Sequence, residues 1–550
     1  MRGMQRVAQK SLLKENELLK SMIAAQADQH RFELDQRDAA LQKRDADLQK
    51  RDVEIQERDV IIRHRDEHIA YLYEQIRLIR HRMYGASSEQ APGQGSLFDE
   101  AEVLAAQPAE DEPAPATEPA AEKKPRGKRA PLPKDLPRVE IVHELTAEER
   151  HCACGAEKIE IAPAISEQID IVPMTVRVLR HIRKTCVCPA CESAPVTAAL
   201  PAQILPKSNA SAATTGFVVT AKYVDGMPLH RIEKLLARFG LYIPRHTLAR
   251  WMIMLGERLL PLIRRLRAHL LSHDVLHMDE TPVQVLKESG KTAQSTSYMW
   301  VQSGGPPGRR VVLFDYDASR SGAVPQSLLG DYAGHLMTDG YEGYSAVVAS
   351  NGITALACWA HVRRKFVEAQ RAQPKGKTGS ADVAIKMIGR LYAVERDTRD
   401  AHIAQRQRER EDRSAKILTE MREWLDKQLP RVPPKSSLGE ALAYLDKCWP
   451  KLIRYLARGD LPIDNNPAEN AIRPFVIGRK NWLFSDTPAG AHASARIYSL
   501  VETAKANGHE PHAYLCQVLR DLPAATSVDA LDALLPWNLN PAETAIASIR

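Results

Sequence analysis

Three acidic residues stand where their carboxylates could share a metal ion. Asp279 closes the apolar run Val275-Leu-His-Met-Asp279, and Asp339 closes His335-Leu-Met-Thr-Asp339. Glu469 lies in Asp464-Asn-Asn-Pro-Ala-Glu469, where the Asn pair can cap a helix and Pro467 fits its first turn. Glu502, on the helical stretch Tyr498–Ala506, is the other candidate for the third position. Clustered carboxylates offer hard oxygen donors, which suit Mg²⁺ or Mn²⁺. Ions held in this way can activate an attacking hydroxyl and stabilise a leaving oxygen in phosphoryl transfer. A lone Asp at a strand end is more often a turn or cap residue, so the surrounding elements must bring the three together.

The second chemical cluster is sulfur. Five of the eight cysteines crowd between Cys152 and Cys191. Cys152-x-Cys154 and Cys188-x-x-Cys191 can supply four thiolates to a tetrahedral structural Zn²⁺. Cys186 competes with Cys188, and His151 could replace a ligand of the first pair, in which one residue stands between the cysteines where two are usual. The chain begins Met1-Arg-Gly-Met-Gln-Arg, without the apolar core of an export signal. A tight cysteine cluster in that context points to metal rather than disulfides.

The elements that would position the carboxylates follow a regular order. Val275–Asp279, Tyr298–Gln302 and Arg310–Asp315 read as strands, with a helix near Val324–Leu329. His335–Asp339 and Thr354–Trp359 read as a fourth and a fifth strand. Three strands, a helix, a strand, a helix and a strand is the order of a ribonuclease H-like fold. Its first and fourth strands lie side by side, so Asp279 and Asp339 would point at one place, and the third carboxylate comes from a later helix. Upstream, Leu229–Arg238 is an amphipathic helix, Gly240 can turn the chain, and Pro244 precedes a second helix from Arg245 through Trp251. That is a helix-turn-helix outline, with Arg245, His246 and Arg250 available to DNA. Short stretches at Ile169–Pro173 and Thr175–Arg180 read as strands.

At the N-terminus, Arg-Asp recurs every seven residues from 37–38 to 65–66. Leu34, Leu41, Leu48, Ile55, Ile62, Ile69 and Ile76 keep the same step. Such a stripe predicts a long helix that buries it against a partner helix; a single solvated helix laced with charge pairs is the alternative. Residues 91–138, rich in Pro, Ala and Glu, read as linker. The net charge of +7 is mild for 550 residues and permits, without demanding, a polyanionic partner. No apolar run is long enough to span a membrane.

The motifs, taken together and in order, resemble the insertion sequence 66 family of transposases. Arg82-Met-Tyr-Gly-Ala-Ser-Ser-Glu-Gln and Leu97-Phe-Asp-Glu-Ala-Glu resemble the segment after its zipper helix, and Ser166-Glu-Gln-Ile-Asp-Ile-Val-Pro resembles a strand of its zinc module. His277-Met-Asp-Glu-Thr-Pro, Thr338-Asp-Gly-Tyr-Glu-Gly-Tyr and Cys358-Trp-Ala-His-Val-Arg-Arg-Lys-Phe resemble its catalytic core. Asp464-Asn-Asn-Pro-Ala-Glu-Asn-Ala-Ile-Arg-Pro with Gly478-Arg-Lys-Asn-Trp-Leu-Phe resembles the segment bearing its third carboxylate, and Tyr498-Ser-Leu-Val-Glu-Thr-Ala-Lys-Ala-Asn-Gly its C-terminal module. The resemblance implies Asp279, Asp339 and Glu469 as the metal-binding triad. It also implies a helical insertion that accounts for the 130 residues between Asp339 and Glu469.

The expected organisation is a multidomain α/β protein. A coiled-coil helix (1–84) and a linker (85–138) precede a zinc-binding module (139–200) and a helix-turn-helix-like region (201–271). The ribonuclease H-like core follows in two parts (272–368 and 459–515), split by the helical insertion (369–458), and a helical tail (516–550) ends the chain. Arg363, Arg364 and Lys365 on one side of the carboxylates, and Arg473, Arg479 and Lys480 on the other, are expected to position phosphates. The resemblance implies terminal inverted repeats and target DNA as substrates, self-association through the coiled coil, accessory proteins of the same element, and a cytoplasmic bacterial setting. Competing readings are a catalytically inactive DNA-binding regulator, a coiled-coil assembly protein, and a nuclease that cuts without joining.

Overall fold

The computed structural model describes residues 2–84, 174–186, 196–372 and 379–541. It is a mixed α/β chain. Helix α1 (Arg2–Tyr84) is followed by α2 (Ala212–Tyr223), α3 (Leu229–Ala237) and α4 (Arg245–Arg258). Strands β1 (Val275–Gln284), β2 (Thr296–Gly304), β3 (Val311–Asp317), β4 (His335–Thr338) and β5 (Thr354–Ala357) then alternate with helices Ala323–Leu329 and Ser345–Asn351. Helix α5 (Trp359–Ala372) leaves β5, and α6 (Asn466–Trp482) and α7 (Pro488–Ala506) come late in the chain. Two compact units result. The first holds Met1–Ala106, Leu266–Val283 and Thr296–Arg473; the second holds Gln107–Arg265, Gln284–Ser295 and Pro474–Arg550.

The sheet of the first unit has the order β3-β2-β1-β4-β5. β2 and β3 pair antiparallel across seven residues, from Tyr298 opposite Asp317 to Gly304 opposite Val311. β4 runs parallel to both β1 and β5. The inner strands bury Leu276, Met278, Met299, Trp300, Val301, Leu336 and Met337. Trp300, Leu313, Phe314, Leu336 and Leu356 are fully or almost fully buried.

Between β5 and Glu469 the described residues are helical, with helices Ser380–Asp397, Ile403–Glu409, Ala415–Gln428 and Ser437–Leu452 after α5. These helices share one core with the sheet. Met337 and Leu356 pack in the same apolar cluster as Trp359, Phe366, Leu391, Met421, Leu445 and Tyr455. Within that cluster Arg410 is buried, bound to both oxygens of Glu395 and to the carbonyls of Tyr455, Arg458 and Leu461. These helices therefore pack over β4 and β5.

Several expected boundaries move. β1 does not end at Asp279 but runs on to Gln284. Its parallel pairing with β4 stops at His277 opposite Met337, which leaves Asp279 on the part of the strand beyond that neighbour. The expected fifth strand stops at Ala357, and Trp359, whose backbone N–H donates to the carbonyl of Ile463, opens a helix instead. Thr175–Arg180 has no regular structure; it is exposed with no strand paired to it, and a two-residue antiparallel pair, Thr185–Cys186 with Val196–Thr197, stands further on. Ile169–Pro173 and the linker lie outside the described residues.

α1 is one continuous helix, and its Leu34-to-Ile76 stripe is exposed along its length. Near its end, both Glu74 carboxylate oxygens accept the backbone N–H of Ser437. In the second unit, α3 and α4 are joined by a turn in which Gly240 has φ of +75°, a left-handed conformation that glycine adopts without steric cost. Gly256 on α4 meets Ala493 on α7 so closely that a Cβ at 256 would stand 2.6 Å from the Ala493 Cα.

Candidate active site

Asp279, Asp339 and Glu469 all lie in the first unit, the first two on or just beyond the paired strands β1 and β4. Burial pushes the Asp279 carboxyl well above the usual carboxylate range, and the charges of Glu280, Asp339 and Glu469 push it further. Asp279 Oδ1 accepts the N–H of Glu280 at 2.9 Å. Asp339 sits one residue beyond β4, where its Oδ1 accepts the N–H of Tyr341 at 2.8 Å and its carbonyl accepts the Tyr444 hydroxyl. Gly340 follows with φ of +90°, which turns the chain sharply away from the strand.

Glu469 is buried in the first turn of α6. The residues before it fix its place. The buried Asn465 turns its side chain to β1, donating from Nδ2 to the Met278 carbonyl at 2.8 Å, with its Oδ1 3.1 Å from His277 Nδ1. Its backbone N–H donates to Cys358 Sγ at 3.2 Å. Asp464 Oδ1 accepts the N–H of Asn466, the first residue of α6, and Asp464 Oδ2 accepts the Tyr392 hydroxyl at 3.0 Å. Burial pushes the Asp464 carboxyl up to about 6, against the pull of those two hydrogen bonds.

From α5, two side chains one turn apart reach Glu469. Arg364 Nη2 donates to Oε2 at 3.1 Å, and His361 Nδ1 lies 3.3 Å from Oε1. Burial, with the adjacent Arg364 charge, lowers His361 to about 4. A cleft of about 350 Å³ opens here, lined by Asp339, Tyr341, His361, Arg364, Lys365 and Tyr444 among others.

A buried network beside Asp279 was not singled out by the sequence reading. The Glu280 side chain is only 2% exposed. Its Oε1 accepts from two Arg320 nitrogens at 2.8 and 2.5 Å, and its Oε2 accepts the Tyr344 hydroxyl at 2.7 Å. The Arg320 guanidinium lies 3.9 Å from the Tyr341 ring centroid, and the Tyr341 hydroxyl donates to the Arg320 carbonyl. This network ties β1, the Arg320 turn and the loop after Asp339 into one rigid support. The signal was available in the adjacency of Glu280 to Asp279 and in Tyr-Glu-Gly-Tyr after Asp339.

Asp279, Asp339 and Glu469 are of the residue type that holds a divalent cation, and the charges of Asp339 and Glu469 both act on Asp279. Their oxygens are hard donors, and the repulsion that raises Asp279 is what a cation would relieve. Glu502, the other third candidate, is partnered on its own helix by Lys505 at 3.0 Å.

Residues 207–493 match the family model described as "Transposase IS66 family". The chain belongs to this family. Three further IS66 models agree in order along the chain: "Transposase C of IS166 homeodomain" over residues 71–141, the zinc-finger binding domain of transposase IS66 over 149–192, and the IS66 C-terminal element over 499–537. The chain is 30% identical over 422 residues to the uncharacterized protein y4jD of Sinorhizobium fredii (strain NBRC 101917 / NGR234), covering 74% of this chain and 81% of that protein. It is also 30% identical over 428 residues to the uncharacterized protein y4qI of the same organism, covering 75% and 79%.

Membership in the IS66 family supports a transposase role and suggests a divalent metal, and the zinc-finger match supports structural zinc. Cys152, Cys154, Cys188, Cys191 and His151 lie outside the described residues, and Cys186 is exposed. Of the residues expected to meet DNA, Arg245, His246 and Arg250 are exposed on α4 of the second unit, as are Lys365 on α5 and Lys480 on α6. Arg363, Arg473 and Arg479 are half-buried, and Arg364 is engaged with Glu469. No helix among the described residues is long and apolar enough to cross a membrane.

Proposed function

We propose that this chain cleaves DNA strands at the terminal inverted repeats of its insertion sequence and joins the freed 3′ ends to target DNA. Asp279, Asp339 and Glu469 are its metal ligands, carried on a ribonuclease H-like core. One observation carries the reading: β4, which leads into Asp339, pairs with the strand that bears Asp279, and Asn465, just ahead of Glu469, is bonded to Met278 beside Asp279. The sheet order with β1 beside β4, and a third acid on a late helix, supports the same core.

When bound, divalent metal (Mg²⁺ or Mn²⁺) would polarise the attacking oxygen and neutralise charge on the leaving one. The rest falls to the chain. Tyr341 N–H and the Asn465 anchor hold the Asp339 and Glu469 segments in register. Lys365 supplies positive charge at the mouth of the cleft, and Arg364 within it, where a scissile phosphate would sit. Arg363 and Arg473 of the first unit, and Arg479 and Lys480 of the second, would each hold DNA backbone phosphates. On the second unit, Arg245, His246 and Arg250 at the start of α4 would read or hold the terminal repeat. Cys152, Cys154, Cys188 and Cys191 would close the structural zinc site. The exposed stripe of α1 would pair with the same stripe of another copy. Accessory proteins of the element would join that assembly in a bacterial cytoplasm.

The test is a strand-transfer assay in Mg²⁺ with purified protein, accessory proteins of the element, a labelled element end and a target plasmid. Joined product with wild type and none with Asp279→Asn is expected. Ends that are bound but never cut by either protein would transfer the assignment to a DNA-binding regulator.

A further inference from the structure

We infer that Cys358, His361 and Glu469 form a second metal site, one that takes a thiophilic divalent ion such as Zn²⁺. Cys358 Sγ, a ring nitrogen of His361 and a carboxylate oxygen of Glu469 all lie within 4.8 Å of one another. Tetrahedral zinc with sulfur, nitrogen and oxygen donors places its ligand atoms roughly 3.3 to 3.6 Å apart. His361 Nδ1 and Glu469 Oε1 already stand at 3.3 Å. Cys358-x-x-His361 straddles the junction of β5 and α5, so that both side chains turn to the same side of the helix start.

Two contacts prepare the donors. The Asn465 N–H pointing at Cys358 Sγ is the bond that stabilises a thiolate once its proton is displaced. Arg364 donates to Glu469 Oε2, while Oε1 is the oxygen that faces His361 Nδ1. Burial holds the Cys358 thiol protonated in the absence of metal; on binding, that proton passes to solvent as the metal–sulfur bond forms. The cleft beside His361 offers an entry path and room for a water as fourth ligand. Mg²⁺, which prefers oxygen, gains nothing from the sulfur, so the site separates soft ions from hard ones.

Binding itself follows from these three residues alone. Its consequence rests on the function proposed above: an ion held by Cys358 and His361 claims Glu469, so Zn²⁺ should inhibit a reaction run in Mg²⁺.

The experiment titrates Co²⁺ into the full-length protein with zinc retained in its cysteine module. Wild type should take up one equivalent with a thiolate-to-cobalt charge-transfer band. Cys358→Ser, close in size to the native residue, should lack the band, and His361→Gln should bind about 10- to 100-fold more weakly. Equal bands in wild type and Cys358→Ser would overturn the site. Should Cys358→Ser fail to fold by circular dichroism, unchanged cobalt affinity in His361→Gln would do the same. A cobalt band without strand transfer in the wild type would remove the proposed function and leave the site. Strand transfer without the band would remove the site alone.

Discussion

Replacing Asp464 by asparagine should make the protein more stable at neutral pH, although Asp464 accepts the first N–H of the helix that carries Glu469. The Asp464 carboxyl is buried, and burial raises it from the ordinary 3.8 to about 6. A raised carboxyl favours the folded state while it is protonated. That contribution is complete below the unfolded value and is lost as pH climbs through the folded one. The gap corresponds to about 3 kcal/mol in full, of which roughly half is lost between about pH 5 and about pH 7.5. Asparagine can keep an oxygen on the Asn466 N–H and a polar partner for the Tyr392 hydroxyl, and it carries no charge to desolvate. Urea denaturation followed by far-ultraviolet circular dichroism at those two pH values measures the difference. Groups common to both proteins cancel. Wild type should lose about 1.5 kcal/mol more than Asp464→Asn as pH rises. Parallel pH profiles would refute the reasoning, because Asp464 would then be ionised in the fold at no cost.

Three further outcomes follow from particular contacts. Tyr344→Phe removes a hydrogen bond to the buried Glu280 carboxylate and should cost about 1.5–3 kcal/mol, an effect mostly lost when Glu280→Gln is already present; a double-mutant cycle in urea checks this. Without divalent ions, Asp279→Asn should raise the melting temperature above pH 5, since it removes the carboxylate that burial and three neighbouring acids disfavour. Added Mg²⁺ should stabilise wild type and not the variant, as differential scanning fluorimetry would record. Gly256→Ala should destabilise by about 1–3 kcal/mol, because α4 and α7 must part to admit the new methyl; an unchanged denaturation midpoint would mean that the helices shift freely.

Much of the sheet was legible because its strands are short apolar runs with period-two or fully buried patterning, broken by Gly, Pro and Asp. The proposed carboxylates at 279 and 339 stand out in the sequence because each closes a short apolar run. Glu469 could be ranked from the Asn-Asn-Pro signal, but the reason it reaches the site could not. The decisive bonds run from Asn465 to Met278 and to Cys358, across more than a hundred residues of sequence, and no local pattern encodes a hydrogen bond between segments so far apart. The same holds for Glu280, whose partners Arg320 and Tyr344 become neighbours only when β1 and β4 pair. The end of β5 was read too long because Cys358-Trp359 is as apolar as a strand, while the turn into α5 is set by the distant Ile463 carbonyl. Arg364 illustrates the converse: on sequence it is one more cation in a basic run, whereas in the fold it is the partner of the third carboxylate.

The most direct test of the account compares single-residue neutralisations in one Mg²⁺-dependent cleavage assay on a labelled element end. Asp279→Asn, Asp339→Asn and Glu469→Gln should each lower cleavage by at least about a hundredfold, the scale of losing one group that stabilises transition-state charge, with DNA binding retained. Glu502→Gln, which removes a carboxylate already paired with Lys505, should cleave within a few-fold of wild type. Full activity in Glu469→Gln, with activity lost in Glu502→Gln, would contradict the assignment of the centre.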